Sequence, residues 1–313
     1  MNDILKYIED FLIYKESLGF SRRSYEGFLK DFARSTKNTN NFFFAKPLVD
    51  SWCIMRSSEI ESGFRRRITA LREFSKYLYA LKMIDFVIST DNLPRCNTYT
   101  PYIFTDLDLY MLFEQADLTE HNGRCPGNHL IIPTIYRLIY FCGLRPNEGR
   151  ELLRQDVDVE NGTLFIRKNK TRKERQIPMS DDVREMCRKY LRDINLIFPN
   201  SKYFFPASLE RASSAKWLTK HFLKLWQQCK SPDNSSRVRV YDLRHRYATA
   251  VFMKWLDDGE DLYALLPYLS SYMGHAHFEE TAYYIHLLPE KLKRTTAFDW
   301  NSFGKYLPEV DHE

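Results

Sequence analysis

The sequence predicts a mainly α protein in two domains, on three observations. Apolar residues recur at spacings of three and four over most of the 313 residues, the period of a helix with one buried face. One stretch, Ser89 to Pro101, has two prolines, several small polar residues and no such period, and it divides the chain. The 22 Phe and 20 Tyr beside only 11 Gly and 13 Pro are those of packed cores, and they exclude a disordered or collagen-like chain. At about one domain per 150 residues, the length leaves room for two cores. Residues 1–93 are therefore expected as a helical domain, 94–101 as a linker and 102–313 as a larger second domain.

In the first domain Ile4, Leu5, Ile8, Phe11 and Leu12 fall on one helical face, and Gly19 suits a left-handed cap behind them. Ser21 is the expected N-cap of a second helix with Tyr25, Phe28, Leu29 and Phe32 inward. Pro47 suits the first turn of a third helix carrying Leu48 and Trp52. A fourth buries Phe64, Ile68, Leu71, Phe74, Leu78 and Leu81. Four short helices make a small bundle. Beyond the linker, Thr105 with Asp108 three residues on is close to a capping box. The pattern then stays helical with one break. Gly162 to Lys168 and Lys173 to Pro178 read as two strands around a polar turn, a small antiparallel sheet.

The net charge is +5, with a pI near 8.7. Residues 1–100 hold 16 basic against 12 acidic side chains, so most of the excess lies in the first domain. That fits a polyanion partner without requiring one. No uncharged apolar run approaches the roughly 20 residues of a membrane helix. The start, Met1 to Lys6, lacks the basic and apolar runs of a signal peptide, so a soluble cytoplasmic protein is expected. Six scattered cysteines without a C-x-x-C pair point to a reducing compartment and no metal site. Glycine-rich phosphate loops, H-E-x-x-H and G-x-S-x-G are absent from the sequence.

What remains is a spaced set of cations and a tyrosine pair. Taken singly, each has an ordinary structural explanation. Arg145 has Glu148 three residues away, Lys170 sits at a hairpin tip, and Asp242 can neutralise Arg244. His275 follows Gly274 as at many helix starts, and Tyr284 adjoins Tyr283 in an aromatic run. Their order is more informative. Leu144-Arg145-Pro146-Asn147-Glu148 resembles the first arginine box, G-L-R-x-x-E, of the tyrosine recombinases of phage-integrase type. Asn169 to Arg175 with Ile177-Pro178 is similar to that family's strand-turn-strand with a catalytic lysine, here Lys170. Asp242-Leu243-Arg244-His245, with Thr249 downstream, resembles the second arginine box. Met273-Gly274-His275, followed by Thr281, Tyr284 and His286, resembles the terminal box. There the nucleophile stands nine residues after the histidine, which selects Tyr284 over Tyr283. One position departs from the family: the usual His three residues before the second arginine is Tyr241. A phenol can donate a hydrogen bond, but with a typical pKa near 10 it is a poor base at neutral pH.

The resemblance implies a four-helix core-binding domain of the SAM-like type and a mostly helical catalytic domain, closing as a clamp on double-stranded DNA. It implies site-specific recombination through a 3′-phosphotyrosine on Tyr284, with integration, excision or resolution as the outcome. It also implies a tetramer on two sites, no cofactor, metal or ATP, and a prokaryotic mobile-element setting. The chemistry is coherent. Arg145 and Arg244 suit the non-bridging oxygens of a phosphate, since guanidinium is planar, forked and always charged. Lys170 suits the general acid, and His275 a phosphate contact or proton transfer. Glu148 and His286 stand behind these groups as orienting partners, and Tyr241 faces the phosphate. Arg65, Arg66, Arg67, Arg72 and Lys76, with Arg172 and Lys173, are the expected contacts to the DNA backbone. A DNA-binding protein of this fold without catalysis, or a type IB topoisomerase-like enzyme, would share most of these features.

Overall fold

The computed structural model describes residues 4–36, 44–91, 93, 99–167, 174–231 and 234–286. The chain forms two compact units, 1–99 and 100–313. It is mostly helical with small antiparallel sheets, the fold class expected.

Unit one holds α1 (Ile4–Ser17), α2 (Glu26–Ser35), α3 (Lys46–Trp52) and α4 (Glu61–Ala80). Its core joins Ile8, Phe11 and Leu12 of α1 to Leu29 and Phe32 of α2, Val49 and Trp52 of α3, and Leu71, Phe74 and Leu78 of α4. Phe11 and Phe74 meet edge-on at 5.4 Å, a geometry that adds roughly 0.5–1.5 kcal/mol to burial alone. Gly19 takes the left-handed conformation expected of it, at φ 85°. Leu5 is exposed, and Phe28 is half-buried outside the core, against the expectation for both. Three further details differ. Ser21 stands ahead of a short 3-10 turn, Arg22–Ser24, without a side-chain capping bond, and α2 starts at Glu26. Val49 and not Leu48 carries the buried face of α3, because Pro47 sets the first turn and so the helix phase. Leu81 follows α4 and is exposed.

Unit two runs α5 (Asp106–Asp117), α6 (Asn128–Phe141), α7 (Pro146–Arg150), β1 (Val157–Asp158), β2 (Thr163–Ile166), β3 (Arg175–Pro178), α8 (Asp181–Ile197), β4 (Pro206–Ser208), β5 (Arg211–Ala212), α9 (Ala215–Cys229), α10 (Tyr241–Asp257), α11 (Leu262–Met273) and α12 (Phe278–His286). The Thr105–Asp108 capping box opens α5 as expected. β1, β2 and β3 form one antiparallel sheet, with Leu164 opposite Ile177 and Ile166 opposite Arg175. β4 and β5 form a second small sheet, and neither it nor β1 was foreseen. Strands of two or three residues carry no readable alternation.

The larger core gathers α5, α6, α8, α9 and the first sheet, and Leu243 of α10 belongs to it. A smaller core gathers α11 and α12 against Ala248 and Phe252 of the same helix. α10 is thus shared between the two cores, and its first turns lie where they meet. Among the described residues, no helix is long and apolar enough to cross a membrane.

Candidate active site

Two helices end in the same way just before a residue of interest. After α6, Gly143 adopts φ 56° and the Leu144 N–H returns to the Ile139 carbonyl at 3.0 Å. The chain then turns into α7, with Pro146 in its first turn and Arg145 just ahead. After α11, Gly274 adopts φ 64° and the His275 N–H bonds the Ser270 carbonyl at 3.0 Å. Both caps need glycine for space as well as for φ. A Cβ would lie 2.5 Å from the Tyr247 ring at Gly143 and 2.9 Å from Arg175 Nη1 at Gly274.

These turns bring Arg145 and His275 beside the first turns of α10. Arg244 is fully buried and donates from Nη1 to the Gly143 carbonyl (2.7 Å) and from Nη2 to the Met273 carbonyl (2.6 Å), so it ties the two caps together. Its buried Nε has no hydrogen-bond partner among the described residues. Arg145 donates to Glu148 Oε1 (2.9 Å) and to the Gly274 carbonyl (2.8 Å). Arg244 Nη2 also lies 3.1 Å from His275 Nε2. Arginine has no acceptor, so Nε2 must offer its lone pair, and the imidazole proton sits on Nδ1, donating to Thr281 Oγ1 at 2.6 Å. His275 is therefore a neutral imidazole of defined tautomer.

Tyr284, on α12, is 2% exposed, and its ring stacks on His275 at 5.8 Å with 25° between planes. It and Tyr283 line a 570 Å³ cavity with Arg145, Tyr241, His245 and His275. A second cavity of 840 Å³ shares Arg145 and Tyr241 and runs on past Phe165 and Thr219.

The electrostatics match this burial. Burial pushes the Tyr284 hydroxyl up to about 12, with the Arg244 and Arg145 charges pulling the other way. Burial, then the Arg244, Arg145 and Arg175 charges, push His275 down to about 3. His245, whose buried Nδ1 has no hydrogen-bond partner among the described residues, is pushed down to about 4 by burial and by Arg239 and Arg244. Burial alone would raise Glu148, but the hydrogen bonds and charge of Arg175, with the Arg145 N–H and the Arg244 charge, hold it at about 2. Burial lowers Arg145, and Glu148, with Tyr241 a smaller contributor, more than restores it.

The structure thus brings together Arg145, Glu148, Tyr241, Arg244, His275 and Tyr284. Lys170, Arg172 and Lys173 lie outside the described residues, as do the side chain of His286 and most of the expected linker. Among the cations of α4, Arg65, Arg66 and Lys76 are exposed, with Lys76 paired to Glu73 at 2.8 Å, and Arg72 is half-buried. Arg67 corrects the expectation. It is 1% exposed and donates to both oxygens of Glu59 and to the carbonyls of Trp52 and Ile54, so its charge is spent inside the unit. Three residues that the quoted motifs contain were given no role there: Thr281 as the partner of His275, His245, and Arg175. The last had a readable signal, because Arg175 shares the inward face of β3 with Ile177, and a charge at an inward strand position needs a partner.

The phage integrase family model matches residues 128–291, more than half of the chain. The protein belongs to the phage integrase family. Within it, the chain is 28% identical to the integrase/recombinase homologue y4rE of Sinorhizobium fredii over 284 residues, 89% of this chain and 90% of that one. It is 25% identical to the tyrosine recombinase XerC of Chlamydia caviae over 250 residues, 78% of this chain and 73% of that one. Among solved structures, the integrase of the Tn1549 transposon, in complex with transposon right-end DNA, superposes with a TM-score of 0.65 at 12% identity, covering 91% of this integrase and 94% of that chain. That likeness is one of fold. Family and fold together support site-specific recombination.

Proposed function

We propose that this integrase cuts and rejoins duplex DNA through a covalent bond between Tyr284 and a 3′ phosphate. The observation that carries the reading is that Arg145, His275 and the buried Tyr284 line a single cavity, with the fully buried Arg244 against His275 behind it and its Nε without a hydrogen-bond partner among the described residues. An unsatisfied buried N–H is costly, and a phosphate oxygen would satisfy it. In the proposed step, Tyr284 Oη bonds to phosphorus as the bond from phosphorus to the 5′ oxygen breaks. The tyrosine proton passes to Nε2 of His275, whose lone pair is released when Arg244 turns to the phosphate and whose basicity rises as the bound phosphate's negative charge offsets the arginine charges that hold it low. Lys170 gives the 5′ oxygen its proton. The 5′-hydroxyl of a partner strand then attacks the phosphotyrosine, and the transfers run in reverse. The phosphotyrosine conserves the energy of the broken bond, so ATP is not required. The arginines supply the positive charge that a metal would otherwise bring. Each copy has one nucleophile, and exchange between two duplexes needs four cuts, so four copies on two sites is the proposed assembly.

The test mixes wild type, Tyr284→Phe and Tyr283→Phe with nicked suicide duplexes built from the DNA flanking the gene, in excess EDTA. A covalent adduct is expected on denaturing gels for wild type and Tyr283→Phe only. An adduct that persists in Tyr284→Phe, or one that appears only with added Mg²⁺, would overturn the mechanism. Relaxation of a plasmid without exchange between two sites would replace recombination by a topoisomerase-like activity.

A further inference from the structure

The mechanism above makes no use of Arg175, the most enclosed cation beside the site after Arg244. Its guanidinium has 8% of its side-chain surface exposed and faces a carboxylate, Glu148, with 5%. Arg175 donates from Nη1 to Oε1 (3.0 Å), from Nη2 to Oε2 (2.8 Å) and from Nε to the Tyr272 carbonyl (2.8 Å). Arg145 fills the rest of the carboxylate, with Nη1 on Oε1 and its backbone N–H on Oε2, both at 2.9 Å. A carboxylate offers about four lone-pair directions. All four are taken by two arginines.

Arg244 stands just outside this arrangement, its Nη1 at 3.9 Å from Glu148 Oε2. That distance is the limit of an ion pair and too long for a hydrogen bond. In a buried pocket, an unfilled lone pair on a carboxylate is costly, and the nearest further cation would be drawn in to fill it. Among the described residues, that cation is Arg244. Gly274 is shaped for the same contact, because any Cβ there would come within 2.9 Å of Arg175 Nη1.

We infer that Arg175 is a positioning residue for the phosphate site: by saturating Glu148 it holds Arg145 in place and keeps Arg244 from being drawn onto that carboxylate and away from the DNA phosphate. The inference rests on the proposal that the two arginines bind that phosphate. Arg175 itself touches no reacting atom in this scheme. It works at a distance, from β3, on residues that α7 and α10 carry.

The assay is single-turnover formation of the covalent adduct by the full-length protein on the flanking-DNA suicide duplex, with DNA affinity and thermal melting measured in parallel. Five proteins are compared: wild type, Arg175→Gln, Arg175→Lys, Glu148→Gln and the double variant Arg175→Gln/Glu148→Gln. Displacing a reacting group by about 1 Å costs about 10²-fold in rate, so Arg175→Gln should cleave about 10²-fold more slowly while binding DNA within about threefold of wild type. Arg175→Lys keeps the charge without the fork and should fall between the two. The decisive protein is the double variant. A neutral amide at 148 no longer draws Arg244, so the double variant should cleave faster than Arg175→Gln, a suppression that a merely structural arginine would not produce.

A wild-type rate in Arg175→Gln would overturn the inference, as would a double variant whose loss is the product of the single losses. A fall in DNA affinity as large as the fall in rate would make Arg175 a DNA contact and overturn it too. If Arg175→Gln shows no melting transition, the lysine variant and the double variant decide by the same criteria. Absence of an adduct with the wild-type protein would sink the phosphotyrosine reading and this inference together. An adduct at full rate in Arg175→Gln would sink this inference alone.

Discussion

Removing one oxygen from Tyr241 tests the part of the site that differs from the family pattern. Tyr241 opens α10, is half-buried, and lines both cavities at the point where they share Arg145. Its ring lies 5.0 Å from that of His245, one helical turn on. Tyr241→Phe keeps this ring contact and deletes only the hydroxyl. If the hydroxyl donates one neutral hydrogen bond to the phosphate, the loss is about 0.5–1.5 kcal/mol, a factor of about 2 to 13 in cleavage rate. If it were the base for Tyr284, the loss would be about 10²–10⁴. The structure favours the smaller figure. Two imidazoles already flank Tyr284, His245 at 5.4 Å and His275 at 5.8 Å between ring centroids, and both are held neutral by burial and nearby arginines. A lone pair for the proton is available without Tyr241. Single-turnover cleavage by wild type, Tyr241→Phe and Tyr241→His would decide, with the His variant expected to match or exceed wild type. A fall of about a thousandfold in the Phe variant, with DNA binding unchanged, would refute the reasoning.

Two further outcomes follow from the charges. Glu148 stands at about 2 in the folded protein against an ordinary 4.5, so its stabilisation is complete above the unfolded value and lost as pH falls through the folded one. The difference is about 3 kcal/mol, and urea unfolding between pH 6 and pH 2 should show it in wild type but not in Glu148→Gln; equal pH dependence in both would contradict it. In unit one, Arg65→Ala and Arg66→Ala should each flatten the dependence of log K for DNA on log salt by about one unit. Arg67→Ala should instead leave the slope alone and destabilise the unit by about 3–5 kcal/mol, because it strands Glu59. A slope change in Arg67→Ala without destabilisation would reverse that assignment.

Features of the fold that were legible in the sequence are those set by local rules. The Thr105–Asp108 box, the left-handed Gly19 and the buried period of α4 from Phe64 to Leu78 each depend on residues within two turns of one another. Where a local rule had a competitor, it failed. Ser21 is a good cap by composition, but the next residues form a 3-10 turn, and the helix waits until Glu26. The site was legible by another route. Its residues are far apart in the chain, and their separations carry no physical period, so only their order and the nine-residue step from His275 to Tyr284 could reveal them.

Arg67 and Arg175 show why charge alone could not separate a DNA contact from a buried strut. Both are arginines in segments whose sequence is rich in cations, and both prove to be enclosed and engaged by a carboxylate and backbone carbonyls. What distinguishes them from Arg65 or Arg66 is direction. Arg67 lies beside Ile68 at the edge of the apolar stripe of α4, and Arg175 alternates with Ile177 into the sheet's inner face. A cation that shares a face with buried aliphatic residues has left water, and leaving water is costly unless a carboxylate balances the charge and acceptors take its donors. Glu59 and Glu148 meet that demand from eight and 27 residues away. The first separation is short enough to suspect from sequence. The second is fixed only when β3 docks beside α7, so no separation along the chain could pair Arg175 with Glu148.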